Sequence, residues 1–385
     1  MMQAYKSSSL YNKYVRQQAS EAFHGKSISA ASYEKIVQAH SFDLYTPNYF
    51  IRIALGLLTI VAVLFSTLLI WLISGESGDN ATVALLILTA VICYTALELF
   101  VRSKQYYNAG IDNVLMCSVV VYILSAFLIN DYANSYIITS VFMLILCLWL
   151  CIRFTDAFMA LLSCCSLLLL IFFICMKMGD VGKTIIPFIL MITSALVYFI
   201  TKKLLNKQQS SFYDFCFTSV LFLTLITFYA SGNYFIVKEL SDKIFPDSTG
   251  NSIPLASFFW IFTITIPPAY LFWGILKKDI LFIRTGIGLI AATIFTIRYY
   301  YTFFPAEIEM LVIGILVIAI SSVLIKYLRT PKHGFSFEKD AYNKNDLRNA
   351  EALIIAQAFG KKTSETKGFE FGGGSSGGGG ATGNY

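Results

Sequence analysis

Ten long apolar segments dominate this 385-residue chain and decide what it can fold into. Each holds about 17–25 residues, the length that crosses a hydrocarbon core of ~30 Å at ~1.5 Å per helical residue. The segments are 50–74, 81–101, 111–129, 133–152, 155–176, 184–200, 211–231, 253–276, 279–301 and 307–327. Only 14% of the residues are charged, against 57% hydrophobic. We therefore predict an all-α polytopic integral membrane protein, a bundle of about ten transmembrane helices.

The basic residues predict the orientation of this bundle. With ten spans, one side of the membrane receives both termini and all but five of the 29 Lys and Arg residues. The five on the other side are Lys177, Lys183, Lys238, Lys243 and Arg298. Because positive charge is retained in the cytoplasm, both termini are predicted to be cytoplasmic. The net charge of +6 then reflects orientation, so we expect no nucleic-acid partner.

Four regions are expected along the chain. They are a cytoplasmic N-terminal helical hairpin (1–49), a ten-helix transmembrane domain (50–327), a cytoplasmic linker with an amphipathic helix (328–367) and a glycine-rich tail (368–385). In the hairpin, His24 and Gly25 should end the first helix, and Ser27 or Ser29 should cap the second. A short interfacial helix is expected around Val237–Ile244.

Ionisable residues are predicted at the ends of the spans and not at their midplanes. Glu98 has Arg102 one turn later, and Arg153 and Asp156 bracket a tight turn. An ion-coupled transporter usually keeps a carboxylate near the midplane, so this pattern disfavours that class. All eight cysteines fall inside spans, whereas the three histidines fall outside them. We interpret the cysteines as small apolar residues and predict no metal and no cofactor.

Span eight is the most irregular, because Pro267 and Pro268 lie well inside it and should kink or break the helix. A broken helix beside a glycine-rich one is a common way to build a midplane site. The sequence predicts a candidate cavity here, with a simple structural kink as the alternative. Its residues would be Thr263, Thr265, Pro267, Pro268, Tyr270, Arg284, Gly286 and Gly288.

Two resemblances accompany these patterns. The short helical N-terminus, the many spans and the aromatic run RYYY at 298–301 resemble uncharacterised bacterial multi-spanning membrane proteins. This resemblance implies a fold without an established chemistry, in a bacterial cytoplasmic (inner) membrane. The last 17 residues, FEFGGGSSGGGGATGNY, resemble the glycine-rich tails of bacterial TPM-domain membrane proteins. This chain lacks the TPM domain and ends in Tyr385, where a tryptophan is often found. The second resemblance implies a shared partner that reads the tail.

The tail has two interpretations. A segment in which half of the residues are glycine, as in 368–385, is typical of a flexible, disordered linker. Alternatively, glycines let a backbone enter a narrow groove, and the terminal aromatic residue supplies an anchor. The second interpretation predicts partner-binding residues Phe369, Phe371, Gly378, Gly379, Gly380 and Tyr385.

No catalytic motif stands out, although a lipid-modifying enzyme with sparse motifs would place Arg284 and Glu98 toward the headgroups. We predict a non-enzymatic integral membrane subunit or scaffold of an envelope protein complex. Its partners would be membrane lipids and a protein in the membrane or cytoplasm, docked through the cytoplasmic termini and the tail. The alternative is a transporter, channel or lipid-handling protein with its cavity near Pro267, Pro268 and Arg284.

Overall fold

A computed structural model describes most of the chain as far as Tyr301. The described ranges are 3–24, 27–75, 78–129, 135–205, 212–244 and 255–301, with six helical positions of the tenth predicted span, Leu311, Gly314, Ile315, Ile318, Ser322 and Lys326. The chain divides into two units, Met1–Glu338 and Lys339–Tyr385. The second unit lies wholly outside the described residues, and so do the predicted amphipathic helix and the tail.

The described part of the chain forms twelve helices. They are α1 (Ser7–His24), α2 (Ala30–Ala39), α3 (Tyr49–Ser74), α4 (Asp79–Lys104), α5 (Ile111–Ile129), α6 (Ser135–Phe154), α7 (Ala157–Lys177), α8 (Gly179–Leu205), α9 (Asp214–Gly232), α10 (Tyr234–Ile244), α11 (Ala256–Lys277) and α12 (Ile280–Tyr300). Nine of these, all except α1, α2 and α10, are long and apolar enough to cross a membrane. The prediction of a multi-pass bundle of membrane helices is confirmed.

Three short-range predictions are also confirmed. The helix α1 ends at His24, and the Ser29 hydroxyl caps α2 by accepting from the Ser32 amide at 3.2 Å. The short helix expected near Val237–Ile244 is α10, which begins slightly earlier at Tyr234. Each of these depends on neighbours in sequence, which is why the sequence could identify them.

Successive spans run in opposite directions and so define two ends of the bundle. We call the N-terminal face the end where α3, α5, α7, α9 and α12 begin, and the distal face the opposite end. Consecutive spans pack as antiparallel pairs, chiefly α4 with α5, α6 with α7, α8 with α9 and α11 with α12. Leu97, Leu150 and Met159 are almost fully buried between them. The helix α3 lies at the periphery, where Leu72 keeps 79% of its surface exposed.

The predicted break in span eight is not present. The helix α11 continues through Pro267 and Pro268 as one element. Since proline has no amide hydrogen, Pro267 cannot bond the carbonyl four residues earlier, that of Thr263. The Thr293 hydroxyl of α12 donates to that carbonyl at 3.2 Å, and its single proton is shared with the Leu289 carbonyl at 3.0 Å. The carbonyl freed by Pro267 thus has a hydrogen-bond partner on the next helix.

Replacing Thr293 with valine should destabilise the bundle by about 1 kcal/mol, a typical value for one hydrogen bond between membrane helices. Thr293→Ser should retain most of the stability because it keeps the hydroxyl. The measurement is the thermal unfolding midpoint in a single detergent. Thr265→Val is the matched control, since Thr265 is exposed on the helix that carries the prolines. Equal midpoints for Thr293→Val and the control would contradict the role given to this hydroxyl.

Candidate functional site

The N-terminal segment, residues 3–45, is fastened to the N-terminal face at its beginning. The Ala4 amide donates to the Arg153 carbonyl at 2.9 Å, at the end of α6. The Tyr5 hydroxyl donates to the Tyr106 carbonyl at 2.9 Å. Tyr5 is only 3% exposed, and burial raises the pKa of its phenol. The start of the segment is therefore buried in the bundle and is not only in contact with its surface.

The end of the segment is fastened to the loop between α4 and α5. The Tyr45 amide donates to the Gln105 carbonyl at 3.0 Å, and the Tyr107 amide donates to the Tyr45 carbonyl at 3.1 Å. These bonds form a single parallel bridge between Tyr45 and Tyr106. Because both of its ends are anchored, the hairpin of α1 and α2 is held in one orientation.

Lys13 lies between these anchors, on α1. Its Nζ lies 3.4 Å from the centre of the Tyr107 ring, a cation–π contact. Burial and the nearby Arg52 charge lower the pKa of Lys13, the Asp112 carboxylate opposes them in part, and the resulting pKa is about 8. Burial also raises the pKa of Tyr107. The docked state therefore disfavours the charged amine that water would stabilise.

A cavity of about 220 Å³ lies beside Lys13, between α1 and the beginning of α9. On one wall the Tyr14 phenol hydrogen-bonds to the Asp214 carboxylate, and the pKa of Tyr14 is raised by burial and by that carboxylate. Gln17, Gln18 and Thr218 add further polar groups to its lining. The cavity therefore mixes cationic, anionic and amide groups within one small volume.

A group of charged and amide side chains lies beneath the N-terminal segment, and we call it the polar layer. Its members are Arg52, Glu98, Asn108, Asp112, Asn113, Arg153 and Asp156. They come from α3, α4, α5, α6 and the turns at 105–110 and 155–156. Asp112 and Asp156 are only 2% and 7% exposed.

Asp112 organises the turn that precedes α5. Its carboxylate accepts from the Asn108 amide at 2.7 Å and from the Ala109 amide at 2.9 Å. This turn brings Gly110, with φ +94°, against α3, where an added Cβ would lie 2.1 Å from the Arg52 carbonyl oxygen. Only glycine fits a backbone that is both left-handed and this close to its neighbour.

Asn113 links the turns of the polar layer. Its amide donates to the Asp156 carboxylate at 3.1 Å, and its side-chain oxygen accepts from the Arg52 guanidinium at 3.3 Å. The other carboxylate oxygen of Asp156 accepts from the Met159 amide at 2.9 Å and so caps α7. Burial raises the pKa of Asp156, while the bond from the Met159 backbone amide acts in the opposite direction.

Glu98 ties α4 to α6. The predicted contact with Arg102 is confirmed at 3.1 Å. A second contact was not predicted: the Arg153 guanidinium donates to both Glu98 oxygens, at 2.8 and 3.1 Å. Side chains of Glu98 and Arg153 are 15% and 12% exposed, whereas that of Arg102 is 67% exposed. The ion pair of Glu98 with Arg153 is therefore the stronger of the two, since solvent weakens the pair of Glu98 with the exposed Arg102.

The polar layer is engaged in structural contacts. Both oxygens of Asp112, Asp156 and Glu98 accept hydrogen bonds from protein donors. Within the residues that the structure describes, no group of three or more His, Cys, Asp or Glu is placed to hold a metal ion. The arrangement fixes turns and helix ends to one another.

The residues of the predicted candidate cavity separate into two sets. Thr263, Pro267, Tyr270 and Gly286 are buried, and Thr265, Pro268, Arg284 and Gly288 are exposed. The predicted close approach of the helices occurs at Gly286, where an added Cβ would lie 3.0 Å from the Leu271 side chain of α11. Nothing lies within 4 Å of such an atom at Gly288. The predicted tail residues lie outside the described ranges.

A neutral polar cluster, which the sequence did not identify, lies toward the distal face. Asn233 follows α9 and is 2% exposed. Its amide donates to the Tyr229 hydroxyl at 2.8 Å and to the Thr296 hydroxyl at 3.2 Å. The Tyr234 amide of α10 donates to the Thr263 hydroxyl at 2.9 Å. These contacts join α9, α10, α11 and α12 without any charged group.

Comparisons with known proteins give no relative: no protein-family model matches the chain, and neither a curated protein nor a solved structure matches it.

The lowered pKa of Lys13 predicts that stability rises with pH above about 8. Between pH 8 and the ordinary lysine value near 10.5, the folded protein binds fewer protons than the unfolded chain, so folding gains stability as pH increases. We expect a gain of about 1–2 kcal/mol between pH 7.5 and 9.5. Thermal unfolding midpoints across this range provide the measurement. Above pH ~10 the unfolded chain loses tyrosine protons that the folded protein keeps, because folding raises the pKa of these tyrosines. Stability then falls as pH increases, so the predicted gain is limited to the range below pH ~10.

Lys13→Met is the control for this prediction, because it keeps an apolar stem of similar length and removes the titrating amine. Its midpoint should be nearly independent of pH over the same range. An equal slope for the wild type and Lys13→Met would show that another group is responsible.

Proposed function

We propose that the chain is a non-enzymatic subunit or scaffold of an envelope protein complex in a bacterial cytoplasmic membrane. Both termini, and with them the N-terminal face, would be cytoplasmic. The distribution of Lys and Arg supports this orientation, since all but five of 29 fall on that side of a ten-span topology. Partners would be recognised by the N-terminal hairpin and by the glycine-rich tail.

The presentation of α2 is the observation that carries this proposal. The helix α1 buries Ser9, Leu10 and Ala19, whereas α2 buries no residue. Phe23 of α1 stacks on Tyr33 of α2 with ring centres 5.0 Å apart, so the two helices hold together. A helix held rigidly with an open face loses little conformational entropy when a partner binds to it.

The polar layer supports a structural role over an enzymatic one. A general base needs a free oxygen within reach of a substrate. In Asp112, Asp156 and Glu98, both carboxylate oxygens already accept hydrogen bonds from the protein. These residues hold the turn at 105–110 and the neighbouring helix ends in place, and the N-terminal segment bonds to that turn and to the Arg153 carbonyl. We call the N-terminal segment together with this turn the docking platform, since it presents α2.

The tail enters this proposal through its sequence. Residues Phe369 to Tyr385 resemble the glycine-rich tails of TPM-domain membrane proteins, closed by an aromatic residue. A peptide without β-carbons can lie in a narrow groove, with the Tyr385 ring and carboxylate as its anchor. The transporter alternative has less support, because α11 continues through its prolines and Arg284 is exposed.

Photocrosslinking in cells tests the proposal. A photoreactive amino acid at Glu34 or Gln38, both exposed on α2, should give the same discrete protein adduct. The same group at Leu72, exposed at the distal end of α3, serves as the control and should not give it. Deleting residues 369–385 should reduce the adduct severalfold while leaving membrane insertion intact, because no span is touched.

Two Gly-to-Val changes, Gly378→Val and Gly379→Val, should mimic the deletion if the tail enters a groove. The proposed function would be overturned if neither α2 position gives a protein adduct and if deleting residues 369–385 leaves the complex unchanged.

A further inference from the structure

A cleft of about 470 Å³ lies between α6, α7, α8 and α9, within the membrane-spanning part of the bundle. Its floor is made of small buried side chains, among them Cys151, Ala160, Ser163 and Cys164. Its rim includes Leu148, which is 42% exposed on the outside of α6. Four adjoining helices that present small residues at one level leave a space that opens toward the bilayer.

The cleft occupies one half of the membrane thickness. Its deepest lining residues are Leu144, ten residues before the end of α6 at Phe154, and Leu167, ten residues after the start of α7 at Ala157. Ten helical residues cover ~15 Å, which is half of a hydrocarbon core of ~30 Å. The cleft therefore extends from the N-terminal face to about the midplane, the depth of one leaflet.

Several polar side chains of the lining already have partners within the protein. The Ser163 hydroxyl donates to the Ala160 carbonyl at 2.9 Å, and the Tyr213 hydroxyl donates to the Ile152 carbonyl at 2.8 Å. The thiols of Cys151 and Cys216 hydrogen-bond to each other. A polar ligand would lose its water and gain few partners here, whereas a hydrocarbon chain has no hydrogen bonds to lose. An empty apolar space of this size would forfeit dispersion contacts on all its walls.

Positive charge lies on α8 at the level where the cleft reaches the N-terminal face. Thr201 of α8 lines the cleft, and Lys202 and Lys203 follow it directly. Lys202 forms an ion pair with Asp279 at 3.0 Å, whereas Lys203 is exposed at the end of the helix. Basic residues at this level attract anionic lipid headgroups.

We propose that this cleft is a binding site for a membrane lipid and that it holds an acyl chain of an anionic phospholipid from the leaflet at the N-terminal face. The chain lies along the floor of small residues, and the headgroup lies at the membrane level of Lys202 and Lys203. This site is separate from the docking platform, so its failure would leave the proposed function untouched.

The test uses the full-length protein in nanodiscs that contain phosphatidylglycerol with a photoreactive diazirine in one acyl chain. After illumination, mass spectrometry should locate the label on peptides that line the cleft, around Leu148, Leu167 and Val220. Leu148→Trp should close the rim and reduce this labelling roughly tenfold. Leu196→Trp is the matched control, because Leu196 is 54% exposed on α8 and does not line the cleft.

Ile152→Trp, also on the rim, gives a second closing variant if Leu148→Trp does not fold. Equal labelling of the closing variants and the control would overturn the site, and so would label spread over the lipid-facing surface in proportion to exposure. A phosphatidylcholine analogue with the same diazirine tests the headgroup. It should label the cleft several times less, and equal labelling would overturn the part played by the anionic headgroup.

Discussion

Replacing Gly110 with alanine is expected to destabilise the protein by about 3–5 kcal/mol, because a close backbone contact and an unfavourable backbone conformation coincide at this residue. Two costs act together. A β-carbon at φ +94° strains the backbone, and it would lie 2.1 Å from the Arg52 carbonyl oxygen. The start of α3 would have to move away from the turn before α5, which would disrupt the bonds of the polar layer.

Substitutions at two other glycines measure the backbone strain and the steric contact separately. Gly75 has φ +60° with nothing within 4 Å, so Gly75→Ala bears only the conformational cost of about 1 kcal/mol. Gly288 lies inside α12, also with open space around it, so Gly288→Ala should be neutral or stabilising by up to ~1 kcal/mol. Thermal unfolding midpoints should follow that order. If the Gly110→Ala and Gly75→Ala variants are equally stable, the close contact between Gly110 and the Arg52 carbonyl oxygen is contradicted.

Replacing Tyr5 with alanine should release the N-terminal segment from the bundle. Truncating a buried aromatic side chain costs about 3–5 kcal/mol, and this one also loses its bond to the Tyr106 carbonyl. Trypsin cleavage after Lys6, Lys13 and Arg16 should then be roughly 100-fold faster or more, since proteolysis follows the population of the open form. The spans should remain folded, because the bundle core contributes most of their contacts.

Two variants calibrate this result. Tyr5→Phe keeps the ring and removes only the hydroxyl, so it should cost about 1 kcal/mol and raise cleavage roughly fivefold. Tyr11→Ala removes a ring that is 49% exposed on α1 and should change cleavage by about twofold. Equal cleavage of Tyr5→Ala and Tyr11→Ala would show that Tyr5 does not anchor the segment.

The spans were predictable because the bilayer fixes their length. The third span, predicted at 111–129, coincides with α5 from Ile111 to Ile129. Local contacts were predictable for a similar reason: Glu98 and Arg102 are one helical turn apart, and Ser29 caps the helix that it precedes. These features depend on spacing along the chain, which the sequence displays directly.

The polar layer was not predictable in the same way. Its residues were recognised as charges at span ends, but Glu98 and Arg153 are 55 positions apart, and nothing in either span indicates that α4 meets α6 there. The hydrogen bond to the carbonyl freed by Pro267 was equally hard to predict, because its donor, Thr293, belongs to the next helix. The burial of Lys13 depends on where α1 lies on the bundle, which a polar helix does not reveal.

Helical periodicity explains how the predicted cavity residues separate. Thr263, Pro267 and Tyr270 recur at intervals of four and three, so they share one face of α11, and that face is buried. Thr265 and Pro268 lie on the other side. Proximity in sequence brought these five residues into one prediction, although the helix turns them in different directions.

Hydrogen–deuterium exchange of the full-length protein in nanodiscs tests most directly whether the N-terminal segment is a fixed part of the membrane domain. The Ala4 and Tyr45 amides lie outside helices and donate to carbonyls of the bundle. Both should exchange roughly 100-fold more slowly than in an unstructured peptide, and Tyr5→Ala should remove the protection at Ala4. Exchange at the unprotected rate in the wild type would contradict a docked segment and, with it, the platform that presents α2.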